Sequence, residues 1–416
     1  MSATQIESPP APTAAPEPEP DARGASQAPG SPLAHLSSEQ IEELGRELDA
    51  LHEEVYAELG ERDARYIRAT IKLHRGLVLA ARAALLAGSR KRAPRALGTA
   101  SLSLAKILEN MEIGHNVMHG QWDWMNDPDI NSRNWDWDTA SPADAWRHSH
   151  NYEHHTFTNI RGKDRDLGYE IMRIDPNQRW HPIYLLQPLY NLVLMGFFEW
   201  GVALHDLNFD AIRAGEKPKS QALAELKAIG VKARRQIVKD YIAFPALSAV
   251  AGAAGAAIAG RGRGAAWAAA RDAFGTTFKA NFTANIVRNV WAHSIIFCGH
   301  FPDQTYTFSE EEVADETRGG WYARQMLGAA NIDGSPLFHL LSGNLSFQVE
   351  HHLFPDIPSS RYAEIAPRVR DICRRYGLPY NTGPLHKQLG AVHRTIVRLA
   401  LPGGEPRPKP GPVTAG

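Results

Sequence analysis

Apolar positions along the chain gather into long blocks of helical character. Blocks near residues 76–88, 97–108, 182–204, 241–260 and 282–298 are rich in Leu, Ala, Ile and Phe, with hardly a Val- and Thr-rich alternating run between them. The pattern predicts an all-α body. Ahead of the blocks, Ser37-Ser38-Glu39-Gln40 is followed by Ile41 and Leu44 at helical spacing, which predicts a surface amphipathic helix over residues 37–51. The 182–204 block is long, flanked by aromatic residues and free of Lys and Arg, as a membrane span should be, whereas two blocks fall short of the roughly 20 apolar residues a crossing needs. The expectation is an integral membrane helical bundle, with a soluble bundle as the alternative.

Parity constrains such a bundle. If every histidine cluster described below meets on one side, an even number of crossings separates each from the next. Three blocks lie between the second cluster and the last, so one must stay at the interface. Arg288 and several Asn make 282–298 the expected one. The basic run Arg90-Lys91-Arg92 then faces away from the histidines, against the positive-inside tendency.

Composition trims the picture at both ends. Residues 1–36 are rich in Pro, Ala and Glu without an apolar core, and 402–416 are crowded with Pro and Gly, so both are expected to be disordered. One folded domain remains over 37–401. The opening residues lack the basic and apolar regions of a secretory signal. A net charge of −1 gives no reason to expect nucleic acid as a partner. Cys298 and Cys373 are far apart, which disfavours a disulfide scaffold or a cysteine-ligated metal and fits a reducing, cytosol-facing setting.

The candidate chemistry lies in the histidines, of which there are eighteen. His115 and His119 stand four apart after an apolar block, so on a helix both rings share one face. Residues 146–155 hold His148, His150, His154 and His155, with His150 and His154 on one helical face. A third group places Asn344, Gln348, His351 and His352 on one expected helical stripe that Pro355 ends. Within the 282–298 block, Asn281, Asn285, Asn289 and His293 recur every four residues, and continuing the helix brings His300 onto that face. Packed imidazoles repel one another once protonated, and a metal ion removes the difficulty. Iron, copper, zinc and nickel all suit imidazole. Eight clustered histidines plus Gln348 exceed what one zinc ion uses, so two ions are expected. A carboxylate di-iron bundle would need two Glu-x-x-His motifs, and only Glu112 to His115 provides one.

The motifs H-x-x-x-H, H-x-x-x-H-H and Q-x-x-H-H, in this order around apolar blocks, resemble the three histidine boxes of membrane fatty acid desaturases. Glu112-Ile-Gly-His-Asn-Val-Met-His-Gly-Gln-Trp-Asp-Trp, Phe297-Cys-Gly-His-Phe-Pro and Gln348-Val-Glu-His-His-Leu-Phe-Pro look most like the actinobacterial acyl-CoA desaturases acting at the delta-9 position of stearoyl-CoA. The resemblance implies a cytosolic di-iron cap in which His115, His119, His150, His154, His155, His300, His351 and His352 ligate two Fe ions. His148, Asn289, His293, Asn344 and Gln348 are further candidates as ligands or as supports of ligands. Dioxygen and two electrons would convert a long-chain acyl-CoA into its cis-unsaturated product.

Arg161, Lys163 and Arg165 form a basic loop suited to coenzyme A phosphates or lipid headgroups. The repeated Trp122-Asp123-Trp124 and Trp135-Asp136-Trp137 are expected to pack at a membrane interface. No Gly-rich dinucleotide fingerprint, C-x-x-C pair or His-Pro-Gly-Gly motif is present. Electrons are therefore expected from a separate reductase, which the resemblance implies to be an NADPH-dependent flavin and iron–sulfur protein. The implied setting is the cytoplasmic membrane, multi-pass, with the active site facing the cytosol. The alternatives are a lipid or alkane hydroxylase and, from another class, a metal transporter or zinc hydrolase.

Overall fold

The computed structural model describes residues 32–413. Helix α1 (Ser38–Ala57) opens with a reciprocal cap: Ser37 Oγ accepts from the Gln40 amide at 3.2 Å, and Gln40 Oε1 accepts from the Ser37 amide at 2.9 Å. Its apolar face, Ile41, Leu44, Leu48, Leu51 and Val55, is buried. This helix therefore belongs to the core of the cap. There it crosses the helix Arg318–Gly328, with Gly45 against Gly319. A Cβ on Gly319 would fall 1.8 Å from the Ile41 carbonyl oxygen, so only glycine permits the crossing.

Two antiparallel hairpins carry the cap. The first joins α2 (Glu61–Gly88) to α3 (Arg92–Leu108), and the second joins α4 (Lys219–Ile258) to α5 (Arg263–His300). The four helices pack on one another. Polar side chains inside the bundle find partners there. Asp240 accepts from Lys106 Nζ at 2.8 Å and Arg82 Nη2 at 3.0 Å, while Arg82 also reaches Asn281 at 2.6 Å. Arg288 is ion-paired with Glu199, which accepts from Gln236 at 2.8 Å.

The blocks expected to span best and worst differ from expectation in their continuity. Residues 182–204 break at Phe197 into Gln187–Gly196 and Phe198–His205, preceded by a 3-10 turn at Pro182–Leu186. The 282–298 block instead lies within the unbroken 38 residues of α5. Its Asn and Arg side chains had suggested a weak crossing, but they turn inward: Asn285 onto Asp240 and Tyr241, Asn289 onto the Gly196 carbonyl, Arg288 onto Glu199. Among the described residues, α4 is the one helix long and apolar enough to cross a membrane by length and composition.

Strand content is as slight as expected, a parallel pair of Asn331–Asp333 with Thr382–Pro384. The ends differ from expectation where they are described. Leu33 and Leu36, inside the segment read as disordered, are buried in the cap core, and residues 1–31 lie outside the described residues. Residues 402–413, also read as disordered, lie along the cap: Arg407 pairs with buried Asp303, and the Val413 amide donates to the Gly377 carbonyl at 2.9 Å. Low apolar content hid these anchors, which are ionic and backbone contacts. Residues 414–416 lie outside the described residues.

Candidate metal centre

The first two histidine boxes begin in π-helical turns, with His115 closing one, His150 and His154 within another, and His119 and His155 just beyond them. Helix α3 runs into the π turn Glu109–His115, and the short helix Ala143–Trp146 runs into the π turn Arg147–His154. Such insertions re-aim side chains relative to a regular α-helix. The third box is a 3-10 turn, Leu345–Phe347, followed by a helix over Gln348–Leu353. Asn344 precedes it in the left-handed region at φ 53°, so the single stripe from Asn344 to His352 does not form. His300 comes from the last turn of α5.

These four elements bring all eight predicted ligands together. Ligand nitrogens of His115, His119, His150 and His351 lie within 4.8 Å of one another, as do those of His154, His300 and His352. His155 stands between the two groups, its ring centroid 4.7 Å from that of His119, 4.9 Å from His351 and 4.4 Å from His352.

The nitrogens fit metal ions. His115 Nε2 faces His351 Nε2 at 3.4 Å, and His300 Nε2 faces His352 Nε2 at 3.2 Å. Two nitrogens about 2.1 Å from one ion, about 100° apart, would be separated by about 3.2 Å. Buried polar atoms are rarely left without partners, yet Nε2 of His119, His150 and His154 and both ring nitrogens of His155 have none. Burial and neighbouring rings hold His115, His119, His155, His351 and His352 well below the usual histidine range, so their lone pairs stay free to ligate.

The opposite ring nitrogens are fixed by partners that sequence reasoning missed. His154 Nδ1 lies 3.1 Å from both Asp164 oxygens, and His150 Nδ1 lies 3.3 Å from Asp166. Asp166 also holds His205 Nε2 at 3.0 Å. His352 Nδ1 reaches Gln325 Oε1 at 3.0 Å, and His351 Nδ1 reaches the Tyr362 hydroxyl at 3.3 Å. An N–H donated to a carboxylate turns the other nitrogen toward a metal and raises its basicity. The available signal was the pair Asp164-x-Asp166 beside a histidine box.

That pair lies in the loop read as basic, and the basic side chains there are engaged. Arg165 pairs with Glu153 and Glu170 at 3.1 Å, Lys163 faces Glu310 at 3.4 Å, and Arg161 faces Asp175 at 3.8 Å. The loop thus turns its carboxylates toward the histidines, and its cations toward other carboxylates.

The further candidates separate. Gln348 reaches the second group, its Nε2 3.0 Å from His300 Nε2. Gly299 makes room for it, since a Cβ there would fall 2.8 Å from Gln348 Cγ. Exposed His148 faces Glu153 at 3.4 Å, and His293 stacks on Phe297 and bonds Asn191 at 3.0 Å, so neither joins a group. Asn289 ties α5 to the break after Gly196. Asn344 donates to Glu112 at 3.0 Å, beside Tyr66 and Ser359 on the same carboxylate.

Two cavities flank the centre. The inner one ends on His115 and His150 and has walls of Met111, Trp146, Phe198, Val202 and Ile296. The outer one is lined by Arg75, Lys232, Arg235 and Lys239 with Asp136 and Asp138. Trp137 and Thr139 line both. Trp137, expected at a membrane interface, is thus nearly buried between the cavities, and Trp122 is fully buried against Ile67, Ile113 and Val117.

Two histidine groups joined by one ring, beside an apolar cavity in a helical protein, define a candidate two-metal oxidoreductase centre. The family model for fatty acid desaturase matches residues 93–384, which take in every histidine cluster. The chain belongs to the fatty acid desaturase family, and it is an oxidoreductase. Proteins called NADPH-dependent stearoyl-CoA 9-desaturase from two Mycobacterium tuberculosis strains, CDC 1551 / Oshkosh and H37Rv, are 46% identical to it over 374 residues, 89% of this chain and 82% of theirs. A Synechocystis protein called sn-1 linoleoyl-lipid 6-desaturase is 27% identical over 312 residues, 70% of this chain and 77% of its own. No solved structure matches this chain.

Proposed function

We propose that this desaturase holds two iron ions and places a cis double bond at the delta-9 position of stearoyl-CoA. The convergence of eight histidines, seven in two groups and His155 between them, carries the reading. The first ion falls to His115, His119, His150 and His351, the second to His154, His300 and His352, with His155 between them and Gln348 beside the second. Bound iron supplies the oxidising power by which dioxygen, two electrons and two protons take two neighbouring hydrogens from the acyl chain, leaving an alkene and two waters.

The protein's own part is to hold and exclude. Asp164 and Asp166 orient the ligand rings. Met111, Trp146, Phe198 and Val202 line the apolar cavity that receives the chain and keep water from the reacting carbons. At the outer cavity Arg75 faces the carrier's phosphates, together with Lys232, Arg235 and Lys239, which pair there with Asp136 and Asp138. A separate reductase supplies the electrons, and NADPH as their source is supported by the mycobacterial relatives, which are called NADPH-dependent.

The protein is read as multi-pass in the cytoplasmic membrane, its two hairpins each entering and returning, with the cap in the cytosol. Two full hairpins satisfy parity, and the broken 182–204 block is the one that stays at the interface.

The test is purification in detergent with iron, followed by an NADPH-fed reductase and stearoyl-CoA under air. Oleate formed only with oxygen, at about two irons per chain, supports the proposal. A hydroxylated product would move the chain to the hydroxylases, and zinc with no product would sink the iron reading.

A further inference from the structure

His300 reaches the second histidine group from the last turn of α5, and the chain leaves the helix immediately after it. The loop that follows is held from the far end of the sequence. Asp303 is fully buried; its Oδ1 accepts from Arg407 Nη2 at 2.8 Å, and its Oδ2 accepts from Arg407 Nε at 2.8 Å and Arg394 Nε at 3.0 Å. Lys409 Nζ donates to the carbonyls of Asp303 and Thr305, Gln304 Nε2 donates to the Pro408 carbonyl, and the Tyr306 hydroxyl donates to the Pro410 carbonyl. Thr305 Oγ1 in turn donates to the His300 carbonyl at 2.7 Å. Among the described residues, the hydrogen bonds of 405–413 go only to residues 303–306 and to Gly377. None goes to the elements that carry His115, His119, His150 or His351.

We infer that residues 402–413 are a strap that positions His300, so that retention of the second metal ion, and not the first, depends on the pairing of Arg407 with Asp303. The inference rests on the two-ion reading above. A paired fork of N–H donors fixes a carboxylate in direction as well as charge. Removing it leaves Asp303, buried and three residues from a ligand, with Arg394 alone. The loop then loses its tether, and His300 the backbone contact that aims it. Arg407, Lys409 and Thr305 are positioning residues in this scheme, since they act only through His300.

The two groups make the test selective. The iron-loaded protein in detergent is challenged with a ferrous chelator, and release is followed by absorbance. In Arg407→Ala, and in a chain ended at Leu401, one iron per chain should leave about tenfold faster, within the 10- to 100-fold effect of outer contacts on metal affinity, while the other leaves at the wild-type rate. Arg407→Lys should restore part of the difference. Backbone amides of residues 301–306 should exchange with deuterium about tenfold faster in the first two variants, as local opening predicts. Unchanged release of both ions, or equal acceleration of both, overturns the strap. If the wild type binds fewer than two irons, the two-ion reading fails instead, and amide exchange at 301–306 still decides whether the tail holds the loop.

Discussion

Asp164 grips His154 with both carboxylate oxygens at 3.1 Å from Nδ1 and also accepts from the amides of Asn159 at 2.7 Å and Asp166 at 2.9 Å. The carboxylate cannot swing away without losing four contacts. It fixes the direction of the His154 ring, leaving Nε2 for a metal.

Asp164→Asn removes the charge and keeps the shape. Metal affinity of the purified protein should fall by roughly 10- to 100-fold, the range for partners of ligating histidines. Competition with a chelator measures it. Affinity within twofold of wild type would mean that His154 needs no such support.

Alanine at His119 or His155 should cost at least one iron per chain, because each ring has a buried nitrogen without a protein partner. Alanine at His148 or His293 should leave the iron content unchanged, since both rings lie outside the groups. Metal analysis of the four purified variants separates ligands from neighbours.

Val202→Trp fills the inner cavity. Oleate formation should drop about tenfold or more, as 1–3 kcal/mol of overpacking implies, with iron content unchanged. Retained activity would place the acyl chain elsewhere.

Burial raises the Glu112 carboxyl to about 7 from its ordinary value of 4.5, against the lowering effect of Ser359, Tyr66 and Asn344. Between those values the folded chain binds more protons than the unfolded one, so the Glu112 contribution favours folding at low pH and fades as pH rises through 7. Glu112→Gln should remove on the order of 3 kcal/mol of that dependence. Melting temperatures of both proteins between pH 5 and 8 test it, and parallel curves would exclude the effect.

Much of the site was legible: helical spacing singled out the histidine clusters, and the resemblance picked from the eighteen histidines the eight that the structure brings together. What joins them was not. Asp164 and Asp166 were hidden among Arg161, Lys163 and Arg165, since a linear string shows charge and conceals direction. The π turns that aim the first two boxes leave no mark in composition. The apolar blocks foretold helices but misjudged their continuity. In 282–298 Asn285, Arg288, Asn289 and His293 each have a partner on another helix, whereas 182–204, free of Lys and Arg, breaks at Phe197 after Gly196. Hydropathy counts residues one at a time and cannot see pairing.

The trio of half-buried Arg82 with buried Lys106 and Asp240 draws on both hairpins. Either hairpin alone would hold charge without its counterpart, so neither should be a stable unit of inheritance. Exchange of α2–α3 between distant relatives would strand a carboxylate or two cations unless all three positions travelled together. Over descent, these three residues should change as a set or not at all, which makes the bundle's interior a slower clock than the exposed surface around it.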